Sequence, residues 1–200
     1  MKGSIVIVSF FVAGVLTGMA GIWTSSSPWD DYTRYALYLL MFLVGASLGA
    51  GGKIREMFRS LGIKTLLVPI ATITGTLAFS ALAALMISRY SVYDCMAVGS
   101  GFGYYSLSSV FITQYKGAEL GTVALMTNIF REIITLLFAP LLVRFFSPLA
   151  PICAGGATTM DTTLGVITRF SGREYVFIAV FHGAVVDFTV PFFVTFFCGL

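Results

Sequence analysis

Charge is what this chain has least of. Lysine, arginine, aspartate and glutamate make up 10% of its 200 residues, against 58% hydrophobic residues. A soluble domain carries about 25% charge, so a water-exposed globular fold is excluded. Histidine occurs once, at His182, which removes the imidazole sets typical of zinc centres. Cys95, Cys153 and Cys198 are an odd number in apolar stretches; they read as small core residues, not as a disulfide framework or a metal site. The glycines at Gly99, Gly101 and Gly103 lack the lysine and hydroxyl residue of a phosphate loop, and no βαβ pattern surrounds them. The net charge of +3 is scattered over short loops, which speaks against nucleic acid as a partner. No nucleophile and base stand at a workable spacing, so the sequence points to no enzyme, no catalytic residue, no metal and no cofactor.

What is present is a series of apolar runs, each long enough to cross a bilayer. They fall at residues 4–22, 35–51, 63–88, 95–115, 120–146, 152–168 and 175–200. Lys2 and the Gly18-Met-Ala-Gly21 stretch imitate the flanks of a signal peptide, but the first run exceeds a typical signal core and reads as a retained crossing. The expectation is an all-α polytopic membrane protein, one domain over residues 1–200, with about seven transmembrane helices. Two of them, 95–115 and 152–168, are interrupted. Basic residues mark the cytoplasmic side. With the loop of Lys53, Arg55, Arg59 and Lys64 inside, seven crossings put Lys2, Lys116, Arg169 and Arg173 inside as well. Arg34, Arg89 and Arg144 then lie outside, the amino terminus is cytoplasmic and the carboxyl terminus is external.

The interruptions carry the chemistry. Residues 99–109 (GSGFGYYSLSS) hold three glycines and four serines, and residues 155–165 (GGATTMDTTLG) hold four threonines and Asp161. Backbone freed from a helix in hydrocarbon must be satisfied by protein or a water-lined cavity. Broken helices of this kind bind substrates and ions in transporters, although glycine and serine also serve plain helix packing. The backbone breaks are assigned to Gly99, Gly101, Gly103, Gly155 and Gly156. A carboxylate at such depth costs roughly 2.5–3.5 kcal/mol on insertion scales, so Asp161, Asp187 and Glu132 are candidates for binding substrate or a coupling ion. Thr158, Thr159, Thr162 and Asn128 join them as polar neighbours. Arg131 has two roles open to it: an ion pair with Asp161 or Asp187, or recognition of a substrate carboxylate. His182 reads as a core residue bonded to a backbone carbonyl. Glycine at both breaks also suits a half-helix amino terminus that offers bare N–H groups to an anionic group.

At these residues the sequence resembles the LysO family of bacterial inner-membrane lysine exporters. The resembling stretches are residues 99–109 (GSGFGYYSLSS), 127–132 (TNIFRE), 155–165 (GGATTMDTTLG) and 181–191 (FHGAVVDFTVP). The resemblance implies export of L-lysine, and of analogues such as thialysine, across the inner membrane against a proton or cation gradient. It also implies that Asp161 matches the intramembrane acid of the family's carboxyl-terminal half, and it agrees with a periplasmic carboxyl terminus. Longer members of the family have a further hydrophobic amino-terminal region with a second embedded acid. Here the first two runs contain no carboxylate. Either this chain works with its remaining acids, as a monomer or a homodimer, or a small companion membrane subunit supplies that part. Two rival functions stay open, a cation/proton exchanger and a non-transporting membrane subunit. The three buried acids favour transport, because a scaffold gains nothing from their insertion cost.

Overall fold

The computed structural model describes residues 63–200 and a few isolated positions before them, so the expected crossings at 4–22 and 35–51 lie outside the described residues. The described part is helical, with no strand among the described residues. Seven α-helices follow in order: α1 (Ile63–Ala84), α2 (Val92–Gly99), α3 (Tyr105–Lys116), α4 (Ala118–Phe145), α5 (Ala150–Gly155), α6 (Leu164–Phe170) and α7 (Val176–Cys198). Short 3₁₀ turns at Gly156–Met160 and Arg173–Tyr175 precede α6 and α7. Among the described residues three stretches are long and apolar enough to cross a membrane: Thr65–Ala84, Ala118–Phe145 and Arg173–Cys198. At 1.5 Å per residue α4 measures roughly 42 Å, longer than a hydrocarbon core of about 30 Å, so it must tilt or project.

The short helices pair off as two hairpins. Ser91 starts α2 with a capping box: its hydroxyl accepts from the Asp94 N–H at 3.1 Å, and the Asp94 carboxylate accepts from the Ser91 N–H at 3.1 Å. α2 stops at the glycine-rich break, and α3 returns alongside it. The Lys116 ammonium, at the end of α3, stands 3.3 Å from Asp94 at the start of α2. Beyond them Arg89 pairs with Glu119 at 2.6 Å, and the Tyr90 hydroxyl donates to the same carboxylate at 2.9 Å. The two ends of residues 95–115 therefore meet. The sequence leaves open whether residues 95–115 cross fully or re-enter; in the structure they double back, and Arg89 and Lys116 lie at the same end.

The second hairpin is formed by α5 and α6. Ile152 on α5, Ile167 on α6 and Ala179 on α7 are fully buried in one cluster, covered by Val68, Leu149, Tyr175 and Ile178. Leu149 precedes this hairpin and Tyr175 follows it, so residues 152–168 also return to the end they left. The same cluster places the starts of α1 and α7 at that end. Cys198, at the far end of α7, lies within electrostatic reach of Lys116 and Asp94. Thus α1 and α7 run parallel, α4 runs against them, and the hairpins enter from opposite ends. Arg144 stands at the end opposite to Arg89, again unlike the seven-crossing expectation.

Candidate functional site

The tips of the two hairpins meet. The Ala157 N–H donates to the Phe102 carbonyl at 2.9 Å, joining one break to the other. The approach is reciprocal. A Cβ on Gly103 would stand 3.0 Å from the Gly155 carbonyl oxygen, and one on Gly156 would run into the Phe102 carbonyl oxygen. Both glycines have positive φ, 95° and 65°, which L side chains rarely adopt. Glycine is required here by both conformation and space. Gly99 has a different task, since it abuts Ser80 and Thr76 on α1, while Gly101 abuts Asn128 and Ser108.

One face of α4 holds both breaks. Asn128 accepts from the Gly103 N–H at 2.7 Å and donates to the carbonyls of Ala124 at 2.9 Å and Val98 at 3.3 Å. Three residues on, and so on the same face, Arg131 serves the other hairpin. Its Nε donates to the Ala154 carbonyl at 2.7 Å and one terminal nitrogen to the Cys153 carbonyl at 3.0 Å. The other terminal nitrogen reaches the Thr76 hydroxyl at 3.4 Å. Cys153 and Ala154 end α5, where carbonyls have no helical partner and the helix dipole favours a cation. Arg131 makes no ion pair with Asp161 or Asp187; it caps a helix.

His182 and Thr159 form a second buried clamp on the same tip. The Thr159 hydroxyl lies 2.8 Å from both the Gly156 and Ala179 carbonyls and 3.2 Å from His182 Nδ1. His182 Nε2 lies 2.9 Å from the Thr72 hydroxyl on α1. The expected backbone partner of His182 falls at Gly156, and the structure adds the two hydroxyls. Thr72 and Thr76 are functional neighbours that the sequence reading passes over. Their spacing of four within an apolar span, continued by Ser80, is the signal that finds them.

The remaining candidates converge on a cavity of about 230 Å³ beside the joint. Glu132 from α4, Asp161, Thr158 and Thr162 from the second break, and Asp187 from α7 line it. Tyr104, Tyr105 and Ser106, which the sequence reading does not single out, close the side formed by the first hairpin. Asp187 is 6% exposed and accepts no hydrogen bond from the protein. Asp161 accepts from the N–H of Thr162 next to it. Thr158 is turned inward, with its hydroxyl 3.0 Å from the Gly155 carbonyl and 3.2 Å from the Thr163 hydroxyl. Pro191 follows Asp187 by one turn, and α7 continues through it.

Three long apolar helices, two opposed hairpins joined at their tips, and a carboxylate-lined cavity beside the joint define a multi-pass helical membrane protein. The cavity is smaller than the roughly 300–1,000 Å³ pockets of drug-sized ligands, which suits a single small solute. Within that class the chain belongs to the lysine exporter LysO family, whose sequence profile matches residues 8–198. It is 30% identical over 187 residues to the lysine exporter LysO of Escherichia coli K12, covering 93% of this chain and 61% of that protein. The chain thus spans about three fifths of that relative's length. It is 32% identical over 164 residues to a putative lysine exporter of Haemophilus influenzae, covering 82% of each. No solved structure matches.

Proposed function

We propose that the chain is a secondary transporter that exports L-lysine, and analogues such as thialysine, across the bacterial inner membrane, coupled to a proton or cation gradient. One observation carries this: Asp187 is buried without a protein partner in a cavity it shares with Asp161 and Glu132. An uncompensated carboxylate in hydrocarbon calls for a cation, and Arg131 is already committed to helix carbonyls. The family and its two relatives support lysine as that cation. Removing the cargo from lysine-loaded cells tests the reading. A strain without its own exporters, fed a lysine dipeptide, regains lysine efflux when the chain is expressed and loses it with Asp161→Asn. No efflux from well-expressed protein sinks the proposal, and efflux that survives collapse of the ion gradients sinks the coupling.

The hairpins are read as re-entrant from opposite faces, with their joint near mid-membrane. Lys64, Arg144, Arg169 and Arg173 gather at one end of the long helices, against Arg89 and Lys116 at the other. The positive-inside rule makes the first end cytoplasmic and the carboxyl terminus periplasmic. Single cysteines at Arg89 and Lys116 are then labelled from the periplasm, and one at Arg144 from the cytoplasm. Labelling of Arg89 and Lys116 positions from opposite faces restores a full crossing.

A further inference from the structure

Carboxylates alone suit any cation, but the first hairpin brings the opposite chemistry to the same cavity. α3 begins at Tyr105 with no side-chain cap from Tyr104. The first N–H groups of the turn are accounted for: Gly103 donates to Asn128, Tyr104 to the Gly101 carbonyl, and Tyr105 to the Gly103 carbonyl. Ser106 and Leu107 are next, and their N–H groups have no acceptor in the protein. The joint between the tips is the cause. In a continuing helix Ser106 would donate to the Phe102 carbonyl, but Phe102 sits at φ 45° and its carbonyl accepts from Ala157. Leu107 would donate to the Gly103 carbonyl, which Tyr105 occupies. At the second hairpin Thr163 and Leu164 donate to the Thr158 and Asp161 carbonyls, and the Gly165 and Val166 N–H groups that follow, though also without an acceptor, do not line the cavity.

An amino terminus alone is weak ground. Here Ser106 lines the cavity into which the buried, unpartnered Asp187 also faces, and Tyr104 lies within electrostatic reach of both Asp187 and Asp161. Donors with a positive helix end therefore stand opposite acceptors with negative charge, across a space of about 230 Å³. A metal cation or a simple polyamine has no use for the donors. A zwitterion with an extra positive charge uses both. Resting on the transport reading above, we infer that the uncapped amino end of α3, through the N–H group of Ser106, binds the α-carboxylate of a cationic amino acid whose ammonium groups face Asp187 and Asp161.

Equilibrium binding to the purified full chain in nanodiscs tests this with three probes. Lysine has both ends; cadaverine keeps the two amines without the carboxylate; lysinamide keeps the shape without the negative charge. Wild type binds lysine at least about tenfold more tightly than either, the range of a charge-assisted hydrogen bond. Ser106→Pro deletes one N–H at a first-turn position that tolerates proline. It brings the lysine-to-cadaverine ratio toward one, while Ser106→Ala, which keeps the N–H, loses less of it. Cadaverine or lysinamide binding wild type as well as lysine overturns this inference and leaves the transport reading standing. Full preference in a folded Ser106→Pro protein also overturns it. Binding of none of the three overturns both. If Ser106→Pro does not fold, the three probes on wild type still decide.

Discussion

The two hairpins solve the same backbone problem with different side chains. The first, from α2 to α3, breaks at glycine, serine and aromatic residues, has no carboxylate at its tip, and is held by neutral Asn128. The second, from α5 to α6, has shorter limbs, carries threonines and Asp161 at its tip, and is held by the Arg131 cation and the Thr159–His182–Thr72 chain. The limb lengths help to explain the difference. α3 has 12 residues and packs along α4, whereas α5 and α6 have 6 and 7, too short to hold themselves together by apolar contact. The second hairpin relies on polar ties, and the first brings the unused N–H of Ser106 to the cavity. One tip therefore presents donors and the other acceptors.

The largest expected effect lies on the acceptor side. Asp161→Asn lowers lysine efflux to background while the protein still inserts and folds, and Asp161→Glu retains part of it. Wild-type efflux from Asp161→Asn would mean that the second tip is no more chemical than the first. Next comes the holding of the tips. Arg131→Ala strips charged hydrogen bonds from two helix-end carbonyls and costs about 3 kcal/mol or more. Asn128→Ala leaves the Gly103 N–H and the Val98 carbonyl short of partners and costs about 1–3 kcal/mol. Unfolding in detergent, followed by helicity, ranks the two; the reverse order removes the claim that the shorter hairpin depends more on its tie.

The joint itself comes third. Gly156→Ala costs about 2 kcal/mol from its positive φ and contact with a backbone oxygen. Gly103→Ala costs less, because its nearest neighbour leaves 3.0 Å. Equal costs would show that the reciprocal contact is looser than drawn. The smallest effect belongs to the open end of the first hairpin. Asp94→Asn weakens a half-buried pair with Lys116 and costs roughly 0.3–1 kcal/mol, shrinking in high salt. A loss of several kcal/mol there would make the ion pair, and not Asn128, the main tie of that hairpin.

Composition and apolar runs made the helical membrane class legible in the sequence, and the glycine and threonine clusters marked both breaks. Asp161, Asp187 and Glu132 stood out because an acid in an apolar run is costly wherever the run goes. The path of the chain was not legible in the same way. A run of 21 residues such as 95–115 has the length to cross, and hydropathy does not register that it doubles back at Gly101–Gly103. That depends on Asn128 of α4 meeting the Gly103 N–H and the Val98 carbonyl at the break. Partners of buried polar groups escaped for a related reason. Arg131 was weighed against carboxylates, yet the acceptors that meet it are carbonyls of α5, and those exist only because α5 stops at Gly155. Helix ends create acceptors that no residue type announces.

The hydrogen bond from Ala157 to Phe102 also constrains how the chain matures. Phe102 is synthesised first, and its carbonyl waits while α3 and α4 are threaded in. Asn128 arrives on α4 and steadies the first tip at once. Arg131, one turn later, is in place before the carbonyls it caps have been made. The first hairpin and α4 thus carry, earlier in the chain, the Phe102 carbonyl and the Arg131 guanidinium that receive the second hairpin, while His182 on α7 comes after it. A protein cut between Phe145 and Ala150 and expressed as two pieces should reassemble only if the earlier piece has already entered the membrane.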